Sequence, residues 1–172
     1  SLENSFKKKN SFSFRNLGDK NPKQIHLEKL TFEQKLDHND PADDRTFTQR
    51  YFIISDYAGD KETSPVLLYI CGESECMTNR GILSHAEELK AHVVYIEHRY
   101  YGKSLPTKSL TTENLKYLST DFALEDLKTI QEYLQIEKHF NGKWIAVGGS
   151  YAGSLAAYYR LKYPNLVVGA LS

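Results

Sequence analysis

The chain has 172 residues, of which 40% are hydrophobic and 26% charged; this suits one domain with its own core and excludes a disordered segment. Lysine plus arginine and aspartate plus glutamate number 22 each, so no charge excess draws the chain to nucleic acid or an anionic membrane. No apolar run reaches the length of about 18 residues that a membrane-spanning helix needs. The opening Ser1-Leu2-Glu3-Asn4 lacks the apolar stretch of a signal peptide, and without an initiator Met it reads as a start after a cleavage or an arbitrary boundary.

Residues 1–28 are rich in Lys, Asn and Ser and show no clear periodicity, which predicts an arm or strap lying over the domain. Residues 29–172 read as one folding unit, with no internal repeat and no Gly/Pro-rich linker. Period-two alternation predicts a strand over 31–36, and a second over 46–54 after the turn signal Asn39-Asp40-Pro41. Continuous apolar runs at 65–70, 93–96, 144–147 and 166–171 predict strands buried on both faces of a parallel sheet.

Helices fit between these runs. One is expected over 81–89. A longer one follows a cap at Ser119 or Thr120, with Ala123, Leu124, Leu127, Ile130 and Leu134 on one face and Asp121, Glu125 and Asp126 in its first turns. A third runs from Tyr151 to about Tyr163 and stops at Pro164. Alternating strands and helices predict an α/β fold, a mostly parallel sheet with helices on both faces.

Cys71 and Cys76 stand close together in a loop-like stretch, where a disulfide and two free thiols are equally compatible with the spacing. With His85 they do not make a metal set, because no third and fourth ligand stands at recognisable spacing. No metal or other cofactor is expected.

The informative segment is Val147-Gly148-Gly149-Ser150-Tyr151-Ala152-Gly153, where a buried strand gives way to a helix. A hydrolase nucleophile needs a tight strand-to-helix turn that lifts its hydroxyl clear of the backbone, with small residues two places either side. Gly148 and Ala152 take those places around Ser150; the usual pattern has Gly at the second. The N–H of Tyr151, at the start of the helix, can hold an oxyanion. A second donor would come from the loop Cys71-Gly72-Glu73-Ser74-Glu75 after an earlier strand, with Gly72 allowing close approach. Two readings compete: a phosphate-cradling turn, for which Gly-x-Gly-x-x-Gly spacing and a P-loop Lys are lacking, and glycines that serve only helix packing.

Phe32-Glu33-Gln34-Lys35-Leu36-Asp37-His38 and Phe47-Thr48-Gln49-Arg50-Tyr51-Phe52 resemble the opening of the prolyl carboxypeptidase and dipeptidyl peptidase II family of serine peptidases. Gly72-Glu73, Glu97-His98-Arg99-Tyr100-Tyr101-Gly102-Lys103-Ser104, Leu115-Lys116-Tyr117-Leu118, Gly149-Ser150-Tyr151-Ala152-Gly153 and Arg160-Leu161-Lys162-Tyr163-Pro164 continue the likeness in the family's order. A related family of bacterial tripeptidyl aminopeptidases shares part of this pattern. The resemblance implies an α/β-hydrolase fold, a secreted, periplasmic or lysosomal location, and cleavage of short peptides, often beside proline. It also implies Ser150 as nucleophile and Glu73 as a holder of the substrate's amine, with a loop-fixing role for Glu73 as the alternative. His98 is expected to order its loop, Glu97 and Arg99 to form ion pairs beneath the site, and Asp37 and His38 to fix a turn.

In α/β-hydrolases the triad runs Ser, acid, His. All six histidines precede Ser150, and neither Asp nor Glu follows it. The chain is therefore expected to be a piece of a longer polypeptide, truncated after the strand that follows the nucleophile helix and inactive alone. Expected partners are a peptide substrate and the remainder of its own polypeptide, with a homodimer left open. A serine esterase or lipase of the same fold, or an inactive hydrolase-like binding module, are the alternatives.

Overall fold

A computed structural model describes residues 8–14 and 23–172. Seven strands form one sheet: β1 (Lys8–Phe14), β2 (Lys23–Lys35), β3 (Thr46–Ile54), β4 (Val66–Ile70), β5 (His92–Ile96), β6 (Trp144–Val147) and β7 (Gly169–Leu171). Their spatial order is β1-β2-β3-β5-β4-β6-β7. The half that carries the site, β5-β4-β6-β7, is parallel, and β1, β2 and β3 extend it antiparallel on the other side.

Three helices connect the parallel strands: α1 (Arg80–Leu89), α2 (Thr120–Glu137) and α3 (Tyr151–Lys162). The first two start where a side chain satisfies free backbone donors. Asn79 Oδ1 accepts from the N–H groups of Gly81 (2.8 Å) and Ile82 (3.4 Å), and Ser119 Oγ accepts from that of Phe122 (3.3 Å). Alternate residues of the central strands feed opposite faces of the sheet. Val66, Leu68, Ile70, Val94 and Ile96 pack against Ala123, Leu127 and Ile130 of α2 and Leu155 and Tyr159 of α3. Leu67, Val93, Tyr95 and Val147 face Ile82, Leu83 and Ala86 of α1.

Two expectations change. The boundary at residue 28 falls inside β2, so 23–28 belong to the sheet rather than to an arm. Residues 8–14 pair with β2 from Lys8 opposite Lys29 to Phe14 opposite Lys23. Polar side chains hid these strands, because sheet pairing is made by the backbone. Residues 1–7 and 15–22 of the expected arm lie outside the described residues. The last strand is shorter than the apolar run 166–171 and begins at Gly169; Val167 is fully buried ahead of it, while Val168 and Leu171 are exposed.

Candidate active site

β6 ends at Val147 and α3 begins at Tyr151, leaving three residues to turn the chain. Ser150 takes φ 57° and ψ −130°, a conformation rare for a residue with a side chain. Its carbonyl oxygen accepts from the N–H groups of Gly153 (2.9 Å) and Ser154 (3.2 Å), and the Gly148 N–H donates to the Leu171 carbonyl (3.0 Å). A methyl at position 148 would fall 2.1 Å from the carbonyl oxygen of Ala152, so only glycine lets strand and helix meet this closely. Ser150 is exposed, and its side chain makes no capping bond to α3. The fold thus presents a hydroxyl at the C-terminal rim of the parallel strands.

Ala152, the departure from the usual pattern, belongs to the buried core. Its methyl is buried and would lie 3.8 Å from a side-chain carbon at Gly72, an ordinary contact. Gly72 is therefore not demanded by crowding within the described residues, and it stands beside Ala152 of α3. Glu73 follows, exposed, and its carboxylate acts electrostatically on both His98 and Tyr151. The structure thus brings Ser150, Tyr151, Gly72 and Glu73 to one end of the sheet.

The spacing of Cys71 and Cys76 left their state open, and the structure joins them in a disulfide that closes this loop on itself. Both cysteines are buried. Among the described residues no group of three or more His, Cys, Asp or Glu converges as a metal site.

The Glu97-His98-Arg99 string after β5 forms the floor, with partners the sequence did not reveal. Glu97 and Arg99 do form ion pairs, Glu97 with Arg50 of β3 and Arg99 with Asp126 of α2. Arg99 is fully buried. It gives two hydrogen bonds to Asp126 (2.7 and 2.6 Å) and others to the carbonyls of Lys35, Leu36 and Tyr117. Asp37 fixes its turn by accepting from the Asn39 N–H (2.9 Å), whereas His38 reaches away from the turn to Asp126 (2.7 Å). Hydrogen-bonding capacity was legible at each residue, but the pairings span up to 88 positions of sequence.

His98 stands nearest the turn among these. Its Nδ1–H donates to the Arg99 carbonyl (2.6 Å), which leaves Nε2 to accept from the Tyr151 hydroxyl (3.3 Å). Burial holds the imidazole below its ordinary pKa and so favours the neutral ring. The ring stacks edge-on against Tyr101 at 5.3 Å. His98 thus buttresses the residue after Ser150, and its loop, through two hydrogen bonds.

A sheet covered on both faces, with an exposed serine at a strained strand-to-helix turn, defines an α/β-hydrolase. Solved structures agree on the fold: a CocE/NonD family hydrolase from Staphylococcus aureus matches 94% of this chain and 30% of its own at a TM-score of 0.63 and 14% identity. A prolyl endopeptidase matches 85% of this chain and 20% of its own, at 0.60 and 15% identity.

The family model described as serine carboxypeptidase S28 matches residues 34–172, and the chain belongs to that family. The lysosomal Pro-X carboxypeptidase of Mus musculus is 42% identical over 154 residues, covering 83% of this chain and 31% of the relative. The thymus-specific serine protease of Mus musculus is 38% identical over 146 residues, covering 81% and 28%. The chain thus spans less than a third of the length of these curated relatives. No helix among the described residues is long and apolar enough to cross a membrane.

Proposed function

We propose that this chain carries the nucleophile of a serine exopeptidase that hydrolyses short peptides, next to proline, through an acyl-enzyme. The single observation that carries the reading is the exposed Ser150 hydroxyl, held at φ 57° between β6 and α3 in a chain of the S28 family. In this reading Ser150 attacks the scissile carbonyl. The Tyr151 N–H, unpaired within the helix by its place in the first turn, and an N–H of the Gly72 loop receive the oxyanion. Glu73 holds the substrate's free amine where the substrate presents one. A serine hydroxyl needs an adjacent base at neutral pH. His98 does not fill that role, because its second nitrogen is engaged by Tyr151. The acid and histidine are therefore assigned to the longer polypeptide, after Ser150 in triad order.

Relatives named lysosomal Pro-X carboxypeptidase support both the proline preference and a lysosomal location. The Cys71–Cys76 disulfide supports the same oxidising route. A fluorophosphonate probe on the full-length protein is expected to label Ser150 and to leave Ser150→Ala unlabelled. Turnover of proline-containing peptides should exceed that of short-chain esters. Faster ester turnover would move the substrate to esters or lipids; an unlabelled Ser150 in folded protein would sink the enzymatic reading.

A further inference from the structure

Glu97 is the first residue after β5 and its side chain is wholly buried, yet it does no chemistry in the scheme above. Its Oε1 accepts from Arg50 Nε (2.8 Å), the Lys103 N–H (3.0 Å) and Ser104 Oγ (2.7 Å). Its Oε2 accepts from Arg50 Nη2 and from the Cys76 N–H (3.0 Å). These donors come from β3, from the loop 71–76 and from the loop 98–104. The last loop is wrapped tightly: Gly102 stands at φ +58°, and a methyl there would fall 2.0 Å from Glu97 Oε2. A carboxylate this deep is costly unless every oxygen is paired, and well-packed apolar residues could fill such a space without that cost. What the carboxylate adds is the relative placement of the three segments.

The loop 71–76 shows what is being placed. Its first residue donates from the Cys71 N–H to the Ile96 carbonyl (3.0 Å), and its last from the Cys76 N–H to Glu97. Both ends are therefore pinned on consecutive residues at the end of β5, and the disulfide closes the ring between them. Arg50 adds an outer tie to Glu75 (3.1 Å). Gly72 and Glu73 lie on this ring, with Gly72 beside Ala152 of α3.

We propose that Glu97 is a positioning residue for the Gly72 loop: it pins Cys76 and thereby, through the disulfide-closed ring, sets the peptide that faces Ser150. The inference rests on the reading of that loop as an oxyanion donor. In the full-length protein Glu97→Gln is expected to slow fluorophosphonate labelling and to lower kcat on the order of 10- to 100-fold, with KM nearly unchanged, since a small misplacement costs that much. Replacing both cysteines with serine should act in the same direction. Combining it with Glu97→Gln should cost less than the product of the two effects, because both act on one loop. Glu97→Asp keeps the charge but withdraws the carboxylate by one methylene, and serves as the second variant where Gln does not fold. Amide hydrogen exchange over 72–76 reads the loop independently of chemistry and should accelerate in each Glu97 variant. Unchanged exchange there, unchanged kcat with a lowered Tm, or effects that simply multiply would overturn the role of Glu97. An unlabelled Ser150 in the unsubstituted protein would instead remove the nucleophile reading, and exchange would still decide the pinning of the loop.

Discussion

At position 150 the backbone keeps a conformation that a serine adopts only when its neighbours force it, with φ at 57°. The forcing comes from the approach of β6 to α3 across Gly148, where a methyl would overlap the Ala152 carbonyl oxygen at 2.1 Å. That obstacle is backbone and cannot swing aside. Gly148→Ala is therefore expected to destabilise the full-length protein by about 3 kcal/mol and to slow labelling of Ser150 sharply, read by urea unfolding and probe kinetics. Ala152, where the usual pattern has glycine, buries its methyl in the core beside the same turn. The Gly-Gly-Ser-Tyr-Ala-Gly string marked the position of the turn because Gly148 meets a local steric demand that only glycine satisfies.

Among the elements, α2 is tied to the rest by one buried charge pair. Arg99 and Asp126 meet where the end of β2, the short 3-10 turn Asn114–Tyr117 and α2 converge, and His38 shares the same carboxylate. Asp126→Asn would leave the Arg99 guanidinium buried against an amide. The expected cost is about 3–5 kcal/mol, seen as a lower urea midpoint with the same slope. An unchanged midpoint would mean that Arg99 finds other acceptors. The periodic pattern of α2 predicted the helix and its apolar face. It also put Asp126 in the acidic first turns, as a dipole partner; in the fold Asp126 is buried at 1% exposure and is Arg99's counter-ion.

Over the whole molecule, several groups are held below their ordinary pKa. His92 is lowered from 6.5 by burial, with Ser55 Oγ and the Lys61 carbonyl engaging its two nitrogens. Burial pushes Glu97 up from 4.5, but the Arg50 guanidinium and the N–H and O–H donors around it outweigh this and lower it. For both, the unfolded chain binds protons more readily than the folded one, so stability rises with pH. The His92 contribution is complete above pH 6.5 and is lost as pH falls through its lower folded value. The Glu97 contribution is complete above 4.5 and is lost further into acid. Urea midpoints measured from pH 8 to pH 2 are expected to fall in that order, with His92→Gln flattening the part just below 6.5. A flat profile would remove both groups as determinants.

Local patterning determined much on its own. The cores of β2 and β3, the parallel strands β4, β5 and β6, all three helices and the Ser150 turn follow from period, apolar runs and caps, because those signals lie within a few residues of what they specify. The tertiary structure decided what depends on distant partners. β1 and the start of β2 form through backbone pairing that polar side chains do not advertise. The bridge between Cys71 and Cys76, the pairing of Glu97 with Arg50 and of Arg99 with Asp126, and the grip of His98 on Tyr151 arise only when strand ends meet. A carboxylate or a histidine carries its bonding capacity in the sequence, but which group answers it is a matter of three-dimensional position.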